Sequence, residues 1–408
     1  MIPRHRPPFG VQDVLTTLFN RSQRISVDQL EDFYANACGV DRAVLLPSAR
    51  AGICWALRAA ISQETIVLGP AYSCMVVHEA MARAGGRLRL VDVSPDSFLM
   101  DPKKLVPEES GNYAVVLGEI YGYRYDDDAG IAKGKIGPRI RIVDAAMTVP
   151  VEELFTRLND DDFAVVSFGL GKCVYAGWGG MGLTMSAALA DEVRNQRDAY
   201  LRPGDLLLSL SRWTQILVRT VAHARSLYGI SQYFRSAPGD FDTLPSTWSG
   251  DVALSKEWYL PSTAVDRCLI FDNIQRRKEL YDRRGVLARY YYKNLAGAAG
   301  ITLPPVTPHA MSHYTILVRP QFRDAVRVEL NRSGVDTGTL FRLAGYLSKD
   351  DYPNASRISS QVINLPLDID ATNTEIDYIC ERLIKAVAHQ AYEKILLKNP
   401  KNASTGSA

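Results

Sequence analysis

The sequence predicts an α/β fold: a mainly parallel seven-stranded sheet with helices on both faces, followed by a smaller C-terminal α+β domain. Seven short apolar runs suit strands, at 43–47, 65–70, 87–93, 113–120, 139–145, 163–168 and 180–186. Most are separated by stretches long enough for a crossover helix, such as 51–61 and 73–84. This alternation is typical of parallel sheets covered by helices. Only a glycine-rich loop separates the last two runs, which permits one antiparallel strand.

Length and composition indicate a globular chain of two domains. A chain of 408 residues is longer than a domain with one ordinary hydrophobic core. Its composition, with 47% hydrophobic and 23% charged residues, is typical of a soluble globular protein. A net charge of +2 gives no reason to expect nucleic acid as a partner. We predict a large domain over 1–257 with a helical insertion at 187–245, a small domain over 258–397, and a disordered tail at 398–408.

Cysteine usage and hydropathy bear on the location of the protein. The six cysteines have no CxxC spacing, which predicts reduced thiols in a cytoplasm and no metal site. The N-terminus MIPRHRPPFG lacks the apolar core of a signal peptide. Basic residues interrupt the most apolar helical stretch, 205–230, so we expect no membrane span. The same stretch could instead form an amphipathic helix that packs against protein or lies on a membrane surface.

The other helices and strands are predicted from periodicity. A first helix lies within 26–39, where Ser26 and Gln29 form a capping-box signature and Gly39 ends the helix. Beyond residue 187 the pattern is mostly helical. The small domain is expected to contain a long helix at 262–295, strands at 314–319 and 361–367, and helices at 325–331 and 374–396.

Lys172 is the central candidate for chemistry. It follows the strand at 163–168 in a small-residue turn, with a glycine cluster at 177–180 beyond it. Ligands of open α/β sheets collect at the carboxyl ends of strands. A lysine partly desolvated among small residues is a usable amine nucleophile, as a Schiff base with pyridoxal 5'-phosphate (PLP) requires. The alternative is a solvated turn lysine.

Asp144 and Asp92 each end an apolar strand. A buried carboxylate at such a position could pair with a protonated pyridine nitrogen and keep the ring an electron sink. A capping or turn aspartate is the other interpretation, and the residues alone do not distinguish the two.

A phosphate site is expected where the first crossover helix begins, at Ser48, Ala49 and Arg50. Free N–H groups at a helix N-terminus bind anions, although Ser48 could be only an N-cap. Ser167 could add its hydroxyl to the same phosphate.

These motifs together resemble the DegT/DnrJ-type (StrS-like) sugar aminotransferases, which are PLP enzymes of fold type I. The resemblance covers about residues 26–388. Its segments are 48–53, 70–73, the aspartate motif 143–146, Ser167-Phe168 with Lys172, the glycines of 177–180, residues 283–290, and 362–367.

Some positions depart from the family pattern. Glu119 stands where a histidine is usual, Met147 where glutamine or histidine is usual, and Trp178 where glutamate is common between glycines. Cys74 takes the place of an aromatic that stacks on the cofactor, for which Tyr72 is a possible substitute.

The resemblance implies a ping-pong transamination from an amino acid, glutamate or glutamine in much of the family, to a keto sugar attached to a nucleotide. It also implies a homodimer with active sites formed between subunits. The alternatives are a PLP enzyme of the same fold acting on a non-nucleotide ketone and a scaffold or regulatory protein without turnover. Family dehydratases carry histidine in place of the lysine, so Lys172 disfavours that branch.

The acceptor's diphosphate is expected away from Glu119, because like charges repel in a desolvated site. Arginines suit phosphate. The candidates are Arg342 and Arg357 of the small domain and Arg202 and Arg212 of the insertion.

Overall fold

The structure is a computed structural model that describes residues 1–19, 25–105, 112–125, 138–234, 254–307 and 309–398. The predicted tail beyond Lys398 and the last part of the helical insertion lie outside these ranges. The strands of the large sheet are β1 Arg42–Leu46, β2 Ile66–Pro70, β3 Arg87–Val91, β4 Tyr113–Gly118, β5 Arg141–Asp144, β6 Asp162–Ser167 and β7 Gly180–Thr184. Those of the small sheet are β8 Ile301–Thr302, β9 Tyr314–Val318 and β10 Val362–Leu365.

Twelve α-helices are present in the described ranges. The first six are α1 Val11–Phe19, α2 Val27–Cys38, α3 Ala49–Ala60, α4 Met75–Arg83, α5 Ala187–Tyr200 and α6 Leu206–Ala222. The others are α7 Arg225–Phe234, α8 Ala264–Gln275, α9 Arg277–Leu295, α10 Pro320–Arg332, α11 Pro353–Gln361 and α12 Asn373–Lys398. None of these helices has the length and apolar character that crossing a bilayer demands.

The large sheet has the predicted architecture, and its strand order is β1-β7-β6-β5-β4-β2-β3. Only β7 runs against its neighbours, pairing antiparallel with both β1 and β6, so the prediction of one antiparallel strand is confirmed. Successive residues of β6 are buried on opposite faces: Phe163 and Val165 pack under α3, whereas Ala164 and Val166 pack with α2 and α8. Helices therefore cover both faces, which explains why the strands are apolar throughout.

Helix boundaries follow local chemistry in some places and distant contacts in others. The capping box of Ser26 and Gln29 is confirmed, and Gly39 adopts the left-handed conformation that ends α2. The helix predicted at 262–295 is two helices, because Arg276 leaves the helical conformation and its guanidinium binds the distant Pro8 carbonyl. The stretch 205–230 likewise divides into α6 and α7 near His223.

The small unit is a three-stranded antiparallel sheet with order β10-β9-β8. α10 begins at Pro320, earlier than predicted, because proline is tolerated where the first N–H needs no partner. α1, α11 and the two-residue β8 were not predicted. α8 packs in the core of the large sheet, whereas the second half of α9, from Leu287, packs against the small sheet. The domain boundary near Trp258 stays a prediction, and this packing favours a boundary within α9.

Candidate active site

A cavity of about 920 Å³ lies at the carboxyl ends of β4, β5 and β6. Glu119 follows β4, Asp144 ends β5 and Ser167 ends β6, so the parallel register brings all three to the same edge. The cavity is lined by most of the predicted site residues: Ser48, Ala49, Arg50, Cys74, Glu119, Asp144, Met147, Ser167, Lys172 and Trp178.

The lysine loop connects β6 to β7 and presents Lys172 at the cavity. A turn forms where the Lys172 N–H donates to the Gly169 carbonyl over 3.2 Å. Behind it, Cys173 is buried and its Sγ contacts the Met147 carbonyl over 3.4 Å. The loop is therefore anchored on the side away from the cavity, while Lys172 itself is half-buried and lines it.

Asp144 is buried and faces the same cavity. Burial raises the pKa of its carboxyl group, while the Lys172 ammonium and the Ala146 N–H, 3.1 Å from Oδ1, oppose that rise. Asp92 has a different environment. It accepts the backbone N–H groups of Asn354 and Ala355, over 3.1 and 2.9 Å, at the start of α11. The structure thus places Asp144 at the cavity and Asp92 at a helix cap.

The N-terminus of α3 borders the cavity, as predicted for an anion site. Ser48 is its N-cap: its hydroxyl accepts the Ala51 N–H over 3.3 Å and donates to the Glu257 carbonyl over 2.7 Å. A Cβ on Gly180 would lie 2.7 Å from the Ala49 nitrogen, so glycine is required where β7 passes this helix end. The Arg50 side chain is engaged with Glu79 and Ser255.

The cavity fits PLP. Ser73 is buried on its wall, and its hydroxyl has no hydrogen-bond partner. The hydroxyl of Ser167, the amides that begin α3 and the unpartnered Ser73 hydroxyl are donors suited to a phosphate. Lys172 offers an amine for a carbonyl, and Asp144 offers a buried carboxylate for a cationic ring nitrogen.

Glu119 corrects the expectation about charge. It is almost fully buried and forms an ion pair with Arg157, with Arg124 Nε 3.8 Å from its Oε1. Burial raises the pKa of the Glu119 carboxyl group above its usual value, and the charges of these two arginines oppose that rise without cancelling it. The two arginines balance the negative charge of Glu119. Repulsion by Glu119 is therefore not a reason to place a diphosphate elsewhere.

Two residues predicted for the site do not line the cavity. Tyr72 is fully buried, and its hydroxyl donates to the Leu340 carbonyl over 2.9 Å and accepts the Phe341 N–H over 3.0 Å. This core position joins the two units and does not present a ring to a cofactor. Arg342 is exposed and lies outside the lining.

The other predicted arginines are also placed elsewhere. Arg212 is buried, stacks 3.8 Å from the Trp178 ring centroid and lies 3.6 Å from Asp266. Arg202 stacks on Tyr259, and Arg357 bonds to the Pro95 carbonyl. None of them lines the cavity.

A strap formed by residues 1–9 was not predicted and borders the cavity. Its Ile2 forms a parallel bridge with Val335, and Arg6 pairs with Asp368 over 3.1 Å. His5 lies against Gly171, beside Lys172. Nothing in MIPRHRPPFG signals this position, because the partners of Ile2 and Arg6 are more than 300 residues away.

The strap is predicted to loosen in acid. His5 and His313 share a hydrogen bond between Nε2 atoms 2.9 Å apart. Burial, reinforced by Arg4 and Arg284, lowers the pKa of both well below its usual value. A lowered histidine pKa contributes stability that is present above about pH 6.5 and lost as the pH falls.

We therefore expect the melting temperature to decrease as the pH is lowered below about 6.5. This decrease should be smaller in the His5→Gln variant than in the wild type. His389→Gln, at an exposed histidine, is the control, and its melting temperature should depend on pH as that of the wild type does. An identical pH profile for His5→Gln and the wild type would contradict this role.

A model of the DegT/DnrJ/EryC1/StrS aminotransferase family matches residues 11–203 and 268–384. Residues 1–10, 204–267 and 385–408 lie outside this match. A curated relative, the dTDP-4-dehydro-2,3,6-trideoxy-D-glucose 4-aminotransferase of Saccharopolyspora spinosa, is 27% identical over 143 residues. That alignment covers 33% of this chain and 37% of the relative, so it spans little more than a third of the latter.

Solved structures agree in fold. The sugar aminotransferase CalS13 from Micromonospora echinospora superposes with a TM-score of 0.67 at 20% identity, over 94% of this chain and 100% of that one. The PLP form of Spr1654 from Streptococcus pneumoniae, a candidate sugar aminotransferase, has a TM-score of 0.69 at 18% identity, over 95% and 99% of the two chains. At these identities the likeness shows the fold, and it confirms the predicted fold class.

Proposed function

Because the chain belongs to the DegT/DnrJ/EryC1/StrS aminotransferase family, we propose that it is a PLP-dependent aminotransferase acting on a keto sugar. The observation that carries the proposal is the cavity at the carboxyl edge of the sheet, which both Lys172 and Asp144 line. The proposed amino donor is glutamate, and the proposed acceptor is a keto sugar linked to a nucleotide.

Each part of the cofactor would have a partner in this chain. The Lys172 amine would hold its carbonyl carbon, and Asp144 would accept a hydrogen bond from its ring nitrogen. The phosphate would bind the amides that begin α3 and the hydroxyls of Ser167 and Ser73. Bound PLP supplies an electron sink for the negative charge left on a substrate carbon after loss of a proton.

The residues around this sink have distinct tasks. Lys172 Nζ, when it is not holding the cofactor, would be the base that takes the proton from the substrate carbon and delivers it to the former carbonyl carbon of the cofactor. Asp144 must be ionised to keep a ring nitrogen protonated, and a cation beside it favours that form against the effect of burial. Trp178 lines the cavity with its indole N–H held 3.0 Å from the Leu260 carbonyl, so it offers a rigid apolar surface.

The proposal of a nucleotide-linked keto sugar as acceptor is supported by what a relative acts on. The Saccharopolyspora spinosa relative acts, by its name, on a dTDP-linked dehydro sugar. A cavity of about 920 Å³ is large enough for the cofactor together with a sugar.

The decisive experiment follows the transferred nitrogen. PLP-loaded protein is mixed with glutamate labelled on its nitrogen and with a dTDP-linked keto sugar, and we expect the label in the sugar and release of 2-oxoglutarate. The same keto sugar without a nucleotide is the control. Equal rates for both acceptors would favour the non-nucleotide alternative, and no transfer from any amino donor would favour a protein without turnover.

Assembly and location belong to the same proposal. A homodimer is supported by family membership and by exposed apolar side chains on α6, which a second copy could cover: Leu206, Leu207, Leu210 and Val218. A solution mass equal to one 45.2 kDa chain would contradict the dimer. Six cysteines without CxxC spacing support a cytoplasmic location, which fractionation of the source cells would check.

A further inference from the structure

Trp178 lies between two glycines in the loop that follows Lys172. Both glycines have positive φ angles, 98° at Gly177 and 106° at Gly179. A Cβ on Gly177 would lie 2.5 Å from Asp266 Oδ1, and a Cβ on Gly179 would lie 2.6 Å from Ser262 Oγ. The loop therefore passes close against residues 262–266, and glycine is required on either side of Trp178.

The Trp178 side chain is held at one edge and on one face. Its indole N–H donates to the Leu260 carbonyl over 3.0 Å. The guanidinium carbon of Arg212 lies over the ring, 3.8 Å from its centre. Arg212 is buried and does not line the cavity, whereas Trp178 does. The arginine therefore covers the face of the indole that is turned away from the cavity, and the ring presents its other face to the cavity.

Arg212 is in turn held by Asp266. Arg212 Nε lies 3.6 Å from Asp266 Oδ2, and both side chains are almost fully buried. The same Oδ2 atom accepts the Thr263 N–H over 2.7 Å and the Thr263 hydroxyl over 2.8 Å, where α8 begins. A guanidinium is attracted to the face of an indole, most strongly where water is excluded. Helices α6 and α8 thus fix the plane of the Trp178 ring.

The contacts that hold Trp178 come from a part of the chain that the family model does not match. Arg212, Leu260 and Asp266 lie within 204–267, whereas Trp178 lies inside the matched segment. Trp178 itself stands where glutamate is common between the glycines of the family. This chain therefore combines an unusual residue at the cavity with an unmatched segment that supports it.

A fixed indole face suits a sugar ring. The C–H groups of a pyranose form apolar faces, and an aromatic ring that covers one of them removes apolar surface from water. Because the indole is already held in place, little side-chain freedom is lost when a ligand binds. A glutamate at this position would instead offer hydrogen-bond acceptors to hydroxyl groups.

We propose that the sugar ring of the acceptor stacks on Trp178, and that Arg212 and Asp266 are positioning residues that hold the indole for this contact. The inference rests on the proposed function and names a residue that determines the specificity of its acceptor site. It assigns to the cavity an acceptor whose ring presents an apolar face.

The test measures binding to the full-length protein by titration calorimetry with two probes, dTDP-glucose and dTDP. We expect Trp178→Ala to weaken the binding of dTDP-glucose by about tenfold, because an aromatic contact is lost. The affinity for dTDP should stay at the wild-type value, since this probe carries no sugar. Trp178→Phe keeps an aromatic face and should bind dTDP-glucose more tightly than Trp178→Leu does.

The positioning residues are tested with the same probes. Arg212→Met should weaken binding of dTDP-glucose but not of dTDP. Removing one partner of a buried ion pair can unfold a protein, so the double variant Arg212→Met/Asp266→Asn, which removes both charges, is measured beside it. Arg202→Met is the matched control, because Arg202 stacks on Tyr259 at 4.1 Å and neither residue lines the cavity.

A purely structural role predicts a different result. It would lower the melting temperature and change the affinities for both probes alike. Wild-type affinity of Trp178→Ala for dTDP-glucose, equal losses for the two probes, an equal loss in Arg202→Met, or no binding of dTDP-glucose to the wild type would overturn the proposal.

Nitrogen transfer keeps this proposal apart from the proposed function. Protein that loses affinity for dTDP-glucose alone in the Trp178 and Arg212 variants, yet never transfers nitrogen to a keto sugar, would contradict the proposed function and leave the role of Trp178 standing. Transfer by Trp178→Ala with the wild-type rate and the wild-type KM for the keto sugar would do the reverse.

Discussion

Lys172→Ala is expected to lower the rate of transamination by at least about 1,000-fold, because the variant lacks both the amine that holds the cofactor and the base that moves the proton. The rate is measured as nitrogen transferred from labelled glutamate to the keto sugar. Lys103→Ala, at an exposed lysine that does not line the cavity, is the control and should keep the wild-type rate. Substantial turnover by Lys172→Ala would remove this residue from the mechanism.

The same assignment has a chemical check that does not depend on turnover. Borohydride treatment of PLP-loaded protein should attach a pyridoxyl group permanently to Lys172, which peptide mapping would locate. A pyridoxyl group on another lysine would contradict the assignment even if Lys172→Ala were inactive.

Asp144→Ala is expected to retain some PLP but to lose transamination by about 100-fold or more. The phosphate donors remain, whereas the carboxylate that would keep the ring nitrogen protonated is gone. Loading is measured by cofactor absorbance and turnover by nitrogen transfer. Asp144→Asn tests the charge alone, since it keeps the size and a hydrogen-bonding oxygen.

Asp92→Ala is the matched control, because both aspartates lie at the carboxyl end of a strand of the large sheet. It removes the acceptor for two backbone N–H groups of α11 and for the Lys104 ammonium, 3.2 Å from Oδ2. We expect the free energy of unfolding to fall by about 1 to 3 kcal/mol, with turnover per folded molecule unchanged. Lost turnover in well-folded Asp92→Ala, together with an active Asp144→Ala, would reverse the two roles.

Local pattern was sufficient for much of the fold. The seven strands are short apolar runs bounded by breakers, and the glycine-rich loop between β6 and β7 allowed the antiparallel pairing. Signals of this kind fail where a helix boundary depends on a distant partner. Arg276 breaks the predicted 262–295 helix while binding the Pro8 carbonyl, and no periodicity in that stretch encodes the contact.

The candidate site divides in the same way. Glu119, Asp144 and Ser167 could be predicted because each lies at the carboxyl end of a strand, and parallel strands bring those ends together. Tyr72 could not be assigned correctly, since a buried aromatic after a strand can face either the cavity or the core. The hydrogen bonds of its hydroxyl with the Leu340 carbonyl and the Phe341 N–H place Tyr72 in the core.

The sequence by itself determined the sheet, the lysine loop and the aspartate at the strand end, because strand periodicity and short glycine turns act over a few residues. Only the tertiary structure decided which arginines besides Arg50 face the cavity. Arg342, Arg357, Arg202 and Arg212 were chosen from sequence and do not line it, whereas Arg4, Arg219 and Arg327 do. A charged side chain has no local pattern that reveals its partner, and the contacts of Arg4 with Asp336 and Gly338 join segments more than 300 residues apart.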